Sequence, residues 1–342
     1  MEFSFFFPTD VRGGEHITGC LMQGLHLLGH KIYSNLDPAK FSSNGIETPF
    51  SSLFYEAVEI TSDLSRGHLI VDCFNGFGKY SDYLIESSKK NRIVLLDMND
   101  NSNFRDYHEN FLVFSVHFNR LARRRGRIFP IGFGVSQEAI ELSKRYQMMG
   151  ERNGILLNFR PSDRQSVRNS LDLALVPNLN KYFSVNTKFS QGDLYLNDLV
   201  SHKAVLAYGG DFYKDLRLNS YFMREGKNQA HDFEYLVEES VILRFDSWRF
   251  YETALFGACP ISLDLDRYGL DTSFNPKPWK EYIPIDFADI GSTVLELVAH
   301  HHRDPLYFDG IGRNARDWVL AHHSPEALAK RILSIMESED YL

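Results

Sequence analysis

The chain is poor in cysteine: its 342 residues include three, Cys20, Cys73 and Cys259, each inside an apolar run. An odd number at such wide spacing makes neither a disulfide framework nor a zinc motif, so the sequence predicts three buried thiols in a reducing, cytoplasmic setting. Positive charge is also in deficit. The 37 Lys+Arg against 45 Asp+Glu leave a net charge of −8, which argues against bulk coating of a nucleic acid. No stretch approaches the roughly 18 consecutive apolar residues of a membrane span, so membrane contact is expected to be peripheral at most. The opening MEFSFFFPTD has no basic leader, and Pro8 and Asp10 close its apolar run, unlike a signal peptide.

What is present is ordinary globular composition, 43% hydrophobic and 24% charged, in a length that suits two domains of about 150 residues each. Aromatic side chains reach 14%, enough for aromatic cores or for platforms on which rings stack. Residues 2–7 read as a strand, PTDVRGGE as a loop and ITGCLMQGLHLLGH as a helix closed by Gly29. Strands follow at KIYSN, HLIVDCF (68–74), RIVLLDM (92–98), FLVFSV and RIFPIG, with a helix at YSDYLIESSKK. Continuous apolar runs belong to strands covered on both faces of a parallel sheet, and their alternation with helices predicts an α/β architecture.

A second alternation starts near residue 153: strand GILLNF, helix SDRQSVRNSLDLAL, strand KAVLAYGG, helix SWRFYETALFG and strand ACPISLD. Two Rossmann-like domains result, 1–132 and 133–323, with a hinge at PIGFGVSQE and an insertion near the site at 211–245. Ser324-Pro325 opens a C-terminal helix over 324–342, for which a return to the first domain is one placement.

Candidate chemistry gathers at two places. Arg12-Gly13-Gly14-Glu15-His16 follows the first strand and opens a helix. Glycines there let a backbone approach a phosphate or a sugar, and a helix N-terminus offers N–H groups and partial positive charge. The loop is neither a G-x-G-x-x-G fingerprint nor a P-loop, which disfavours a dehydrogenase or an NTPase; a plain turn with positive φ is the structural alternative. In residues 246–261, Arg249 and Glu252 stand three apart on one helix face. A guanidinium near a helix N-terminus can clamp a diphosphate, and a carboxylate one turn later can accept ribose hydroxyls. The two can equally pair with each other at the surface, for at most about 0.5 kcal/mol.

Other clusters read as structural. Neighbouring positions of a helix point in different directions, so His300-His301-His302 is expected to be a solvated face rather than a metal site. Asp97, Asn99 and Asp100 lack the spacing of a calcium loop and read as a strand-end turn. The basic run Arg123-Arg124-Arg125 with Arg127 reads as a solvated helix end.

The segment DSWRFYETALFGACPISLD resembles the sugar-nucleotide signature of exostosin-like and related, group 1-like glycosyltransferases, an Arg-x-x-Glu-Ala helix followed by Gly-x-x-Pro and a strand; Thr253 is interposed before Ala254. PWKEYIPIDFADI (278–290) resembles the Trp-containing stretch that follows, and RGGEHITGCLMQGLHLLGHKIYSN is similar to the opening of many GT-B glycosyltransferases. The resemblance implies a GT-B fold, two Rossmann-like domains facing a central cleft. It implies that Arg249 contacts the donor diphosphate and Glu252 the ribose. Tyr208, Gly209 and Gly210 would lie near the base or phosphates, and Gly13, Gly14, Arg160 and Ser247 complete the nucleotide-sugar-binding set. Trp248, Tyr251 and Trp279 are expected around the same region.

An inverting transferase needs a base for the acceptor hydroxyl, and His16, ahead of Asp10, is the expected one. Arg249 and the helix end would stabilise charge on the leaving diphosphate, so no metal is expected, and no cofactor beyond the nucleotide-diphosphate sugar that serves as co-substrate. The expected function is transfer of a sugar from that donor to a glycan or other hydroxyl acceptor, in surface polysaccharide or glycoconjugate synthesis. A sugar-nucleotide epimerase of the same layout, a catalytically silent nucleotide-sugar-binding protein and a viral or phage DNA-base glycosyltransferase are the alternatives.

Overall fold

The computed structural model describes residues 1–8, 15–41, 46, 48–63, 65–73, 77–98, 107–122, 124–146, 152–159, 166–213 and 241–342, without the side chains of residues 15, 77–79 and 213. Its strands are β1 (Glu2–Phe6), β2 (Lys31–Ser34), β3 (Val58–Ile60), β4 (His68–Asp72), β5 (Ile93–Asp97), β6 (Phe111–Ser115), β7 (Phe118–Asn119), β8 (Arg127–Pro130), β9 (Ile155–Leu156), β10 (Val185–Asn186), β11 (Ala204–Leu206), β12 (Asp211–Tyr213), β13 (Val241–Leu243), β14 (Cys259–Leu263), β15 (Leu270–Asp271) and β16 (Ile283–Ile285). The helices are α1 (Glu15–Leu27), α2 (Ser52–Glu56), α3 (Phe77–Ser88), α4 (Gln137–Tyr146), α5 (Ser166–Leu179), α6 (Gly192–Ser201), α7 (Trp248–Leu255), α8 (Ile290–Arg303), α9 (Tyr307–His323) and α10 (Pro325–Ser338).

The chain forms two compact units, one of Met1–Val116, Arg123–Glu141 and Leu320–Leu342, the other of His117–Ala122 and Leu142–Val319. Against the expected boundaries, residues 133–141 and 320–323 therefore join the first unit and 117–122 the second. Hydrogen bonds explain the first shift: the Val135 N–H donates to the His323 carbonyl, and the Gln137 N–H to Gln23 on α1.

Unit 1 holds a seven-stranded sheet in the order β3-β2-β1-β4-β5-β6-β8, parallel at every pair. Every residue of β5 and β6 is buried, as their uninterrupted apolar runs require. Left-handed Gly29 (φ +82) ends α1, which packs along α10. Gly24 makes that approach close: a Cβ there would overlap the Pro325 carbonyl.

Unit 2 is built on a five-stranded parallel sheet, β10-β9-β11-β14-β16. Segment 117–122 enters it as β7, antiparallel to β15, while the Asn119 amide donates to the carbonyls of Ile242 (2.8 Å) and Tyr268 (3.1 Å). The ends of the expected insertion pair as β12 and β13; residues 214–240 lie outside the described residues.

The three thiols are buried, as expected. Arg124, by contrast, is no part of a solvated helix end. Its Nη2 donates to Asp97 at 2.8 Å with both side chains 8% exposed, because a carboxylate closing a buried strand needs a counter-charge. The His300-His301-His302 face is partly exposed, as expected, with His300 also stacked on Tyr307 (centroids 4.6 Å apart) and Trp279 (5.7 Å). Tyr251 stacks instead on Trp318 at 6.0 Å, so Trp279 and Tyr251 belong to separate aromatic groups and not to one. Among the described residues, no cluster of metal-ligating side chains occurs and no helix is long and apolar enough to cross a membrane.

Candidate functional site

The site is built in unit 2, starting from helix α7. Asp246 organises its start: Oδ1 accepts the Ser247 N–H and Oδ2 the Tyr251 hydroxyl, both at 3.1 Å, while the Asp246 N–H donates to His117 Nδ1 at 3.2 Å. Ser247 occupies the N-cap in extended conformation without a side-chain capping bond. At the other end, Arg152 donates to the carbonyls of Phe256 (2.7 Å) and Gly257, and Arg316 to that of Leu255. Guanidinium groups there satisfy orphan carbonyls and oppose the negative pole of the helix. Both ends of α7 are thus held, which fixes the side chains on its first turn. Thr253, the interposed residue, satisfies its hydroxyl on the Arg249 carbonyl at 2.6 Å.

Arg249 and Glu252 are not an isolated surface pair. Their side chains are 20% and 7% exposed, and the Arg249 Nη1 stands 4.0 Å from Glu252 Oε2. Tyr195 of α6 engages both, its hydroxyl donating to Glu252 Oε2 at 2.6 Å and its ring lying 4.4 Å from the Arg249 guanidinium carbon. Burial and then the Glu252 carboxylate push the Tyr195 hydroxyl well above the ordinary phenol range, so it stays a donor. Burial opposes the charge on Arg249, but Tyr195 and Glu252 together outweigh it and raise the guanidinium above its ordinary value.

Helix α5 adds a further cation. The Arg168 guanidinium carbon lies 4.2 Å from the centre of the Phe159 ring, and its Nε has no hydrogen-bond partner among the described residues. Burial pulls Arg168 down to about 10; Asp172 opposes that, and Arg249 and Arg244 reinforce it from within electrostatic reach. Arg244, in the left-handed region at φ +56, donates to Asp211 Oδ2 at 2.9 Å. Asp211 Oδ1 in turn accepts the Ser166 N–H at 2.8 Å in the first turn of α5.

The exit of β11 threads between these groups. Gly210 sits at φ +123, and its carbonyl accepts the Val167 N–H at 3.1 Å. A Cβ there would press on Ile242 and the Leu243 carbonyl, both at 3.1 Å, so glycine is required by space and by conformation. Tyr208 is fully buried, and its hydroxyl donates to Asp172 Oδ1 at 2.8 Å. Its role is to hold Asp172 from the core.

The structure therefore brings Tyr208, Gly209, Gly210, Ser247, Arg249 and Glu252 to neighbouring elements of one unit. Asp10, Gly13, Gly14 and Arg160 lie outside the described residues. His16 belongs to unit 1, buried on α1, with Nε2 3.3 Å from the Cys20 sulfur; burial lowers it to about 3, against a hydrogen bond to the Gly134 backbone that raises it. Sequence reasoning missed Tyr195, Arg168, Asp172, Asp211 and Arg244. Arg168 and Asp172 are four apart on a helix and carried a signal, but one shared with any exposed ion pair.

No protein-family model matches the chain, and no curated protein matches it in sequence. Among solved structures, sucrose-phosphate synthase from Thermosynechococcus elongatus corresponds over 99% of each chain, with a TM-score of 0.52 at 10% identity. The chain has the GT-B glycosyltransferase fold. HepE of Anabaena, crystallised with UDP-glucose, is similar over 99% of this chain and 100% of its own, with a TM-score of 0.48 at 10% identity. AviGT4, a glycosyltransferase involved in avilamycin A biosynthesis, covers 98% and 97% with the same score and identity. Within this GT-B chain, Phe159 follows β9, Tyr208 and Gly210 follow β11, and Arg168 lies against Phe159 with Arg249 and Arg244 in electrostatic reach. Open α/β sheets take their ligands at such carboxyl strand ends.

Proposed function

We propose that the chain is a glycosyltransferase that moves a sugar from a nucleotide-activated donor to a hydroxyl acceptor, in the synthesis of a surface polysaccharide or glycoconjugate. One observation carries the reading: Arg168, its Nε without a hydrogen-bond partner among the described residues, lies within electrostatic reach of Arg249 and Arg244 at the carboxyl ends of β9 and β11. Arg249 and Arg244 add to the cost that burial places on the Arg168 charge and that Asp172 opposes, and a doubly charged anion relieves it. A diphosphate fits that demand, and the Glu252 carboxylate nearby suits ribose hydroxyls.

In the reaction the bond from the anomeric carbon to the diphosphate oxygen breaks and its electron pair stays on the diphosphate. The acceptor oxygen forms the new bond and gives up its proton. Arginines that stabilise the developing charge lower that barrier, and they supply the positive charge that a metal supplies in other transferases. In an inverting reaction the proton goes to a general base. His16 and Asp10 are the candidates for it, and the burial that keeps His16 neutral makes it a weak base.

The test is turnover with UDP-, GDP-, ADP- and CDP-sugars, with and without oligosaccharide acceptors, in the presence of EDTA. Nucleoside diphosphate released in step with a new glycoside supports the reading. Epimerised donor without a glycoside, or no turnover of any donor with any acceptor, overturns it.

A further inference from the structure

We infer that Tyr195 is a positioning residue of the donor site, a side chain that touches both Arg249 and Glu252 and sets where they stand. The inference rests on the donor-site reading above and extends it to a residue on a different helix. Two opposite charges three residues apart on one helix can close on each other and leave neither for a ligand. Here the closest approach is 4.0 Å, and Tyr195 competes for both partners. The face of its ring takes the guanidinium at 4.4 Å, and its hydroxyl takes one acceptor position of the carboxylate at 2.6 Å.

The element that carries Tyr195 is itself fixed. Asn158, two residues after β9, exchanges two hydrogen bonds with the Ser190 backbone, at 2.8 and 3.0 Å, and the Ser190 hydroxyl donates to Asp198 of α6 at 2.6 Å. Tyr195, Leu196, Leu199 and Val200 form the buried face of α6, with Tyr195 4% exposed. A tyrosine so placed separates the cation from the carboxylate. Each then serves as its own recognition group, Arg249 for the diphosphate and Glu252 for the ribose.

The experiment is calorimetric titration of the whole protein with UDP, GDP, ADP and CDP, their 2′-deoxy forms and inorganic pyrophosphate. Tyr195→Phe keeps the ring over Arg249 and removes the bond to Glu252. It is expected to lower affinity for the bound ribonucleotide about tenfold while leaving the 2′-deoxy form and pyrophosphate within about twofold. Tyr195→Leu removes the ring as well and lowers pyrophosphate affinity too. In a Glu252→Ala background, which leaves no carboxylate to position, Tyr195→Phe is expected to have no further effect on the ribo-to-deoxy ratio. Equal losses for all ligands, or no loss in Tyr195→Phe, overturn the positioning role and leave the donor site standing. Failure of the wild type to bind any nucleotide overturns the donor site itself, and the positioning role with it.

Discussion

The hydroxyl of Tyr195 and the carboxylate of Glu252 stand 2.6 Å apart across 57 residues of sequence, buried between α6 and α7. Glu252 is therefore bound into the structure, beside the ribose role proposed for it. Glu252→Ala is expected to cost about 1–3 kcal/mol of stability, since it strands a buried hydroxyl, and to lower donor affinity as well. Glu252→Gln keeps a hydrogen-bond acceptor and separates the two effects. Thermal unfolding and calorimetry on both variants check this.

Arg168 predicts the opposite combination. A partly buried cation whose Nε lacks a hydrogen-bond partner among the described residues, with Arg249 and Arg244 in reach, burdens the folded state. Arg168→Leu is expected to leave thermal stability unchanged or raised while donor affinity falls about tenfold or more. A loss of stability without a loss of affinity would make Arg168 a structural residue.

In unit 1, the buried pair of Arg124 and Asp97 predicts a stability asymmetry. Arg124→Met alone leaves a buried carboxylate without its counter-charge and is expected to cost about 3–5 kcal/mol. Arg124→Met with Asp97→Leu is expected to cost less than either single change. Urea unfolding of the three variants measures the coupling.

His16 predicts a pH dependence. Its folded value of about 3 lies below the ordinary 6.5, so between those pH values the unfolded chain binds a proton that the folded chain does not. Stability is free of this penalty above pH 6.5. It then declines as pH falls, by about 1.4 kcal/mol per unit, until about pH 3. Urea unfolding of wild type and His16→Leu between pH 7 and 4 should show the wild-type slope steeper by that amount.

The strands and helix α7 were legible in the sequence because each is specified locally. The runs IVLLD and FLVFS are apolar at every position, and only strands covered on both faces demand that. Arg249 and Glu252 were legible through their spacing and the Gly-x-x-Pro that follows. Tyr195 was not, because an aromatic residue on the apolar face of a helix reads as core until the structure shows what its hydroxyl reaches. Arg124 was misread for a related reason: its partner Asp97 lies 27 residues earlier and meets it through tertiary packing alone. The path of residues 117–122 into unit 2 has no local signal either, since β7 is two residues long and pairs with β15 about 150 residues later.

Calorimetric titration of the wild type and Arg249→Ala with UDP-, GDP-, ADP-, CDP- and dTDP-sugars tests the donor site most directly. The account predicts one-to-one binding of at least one donor, weakened by salt and about tenfold or more by Arg249→Ala. Absence of binding across the whole panel, or binding undiminished in Arg249→Ala, would contradict it.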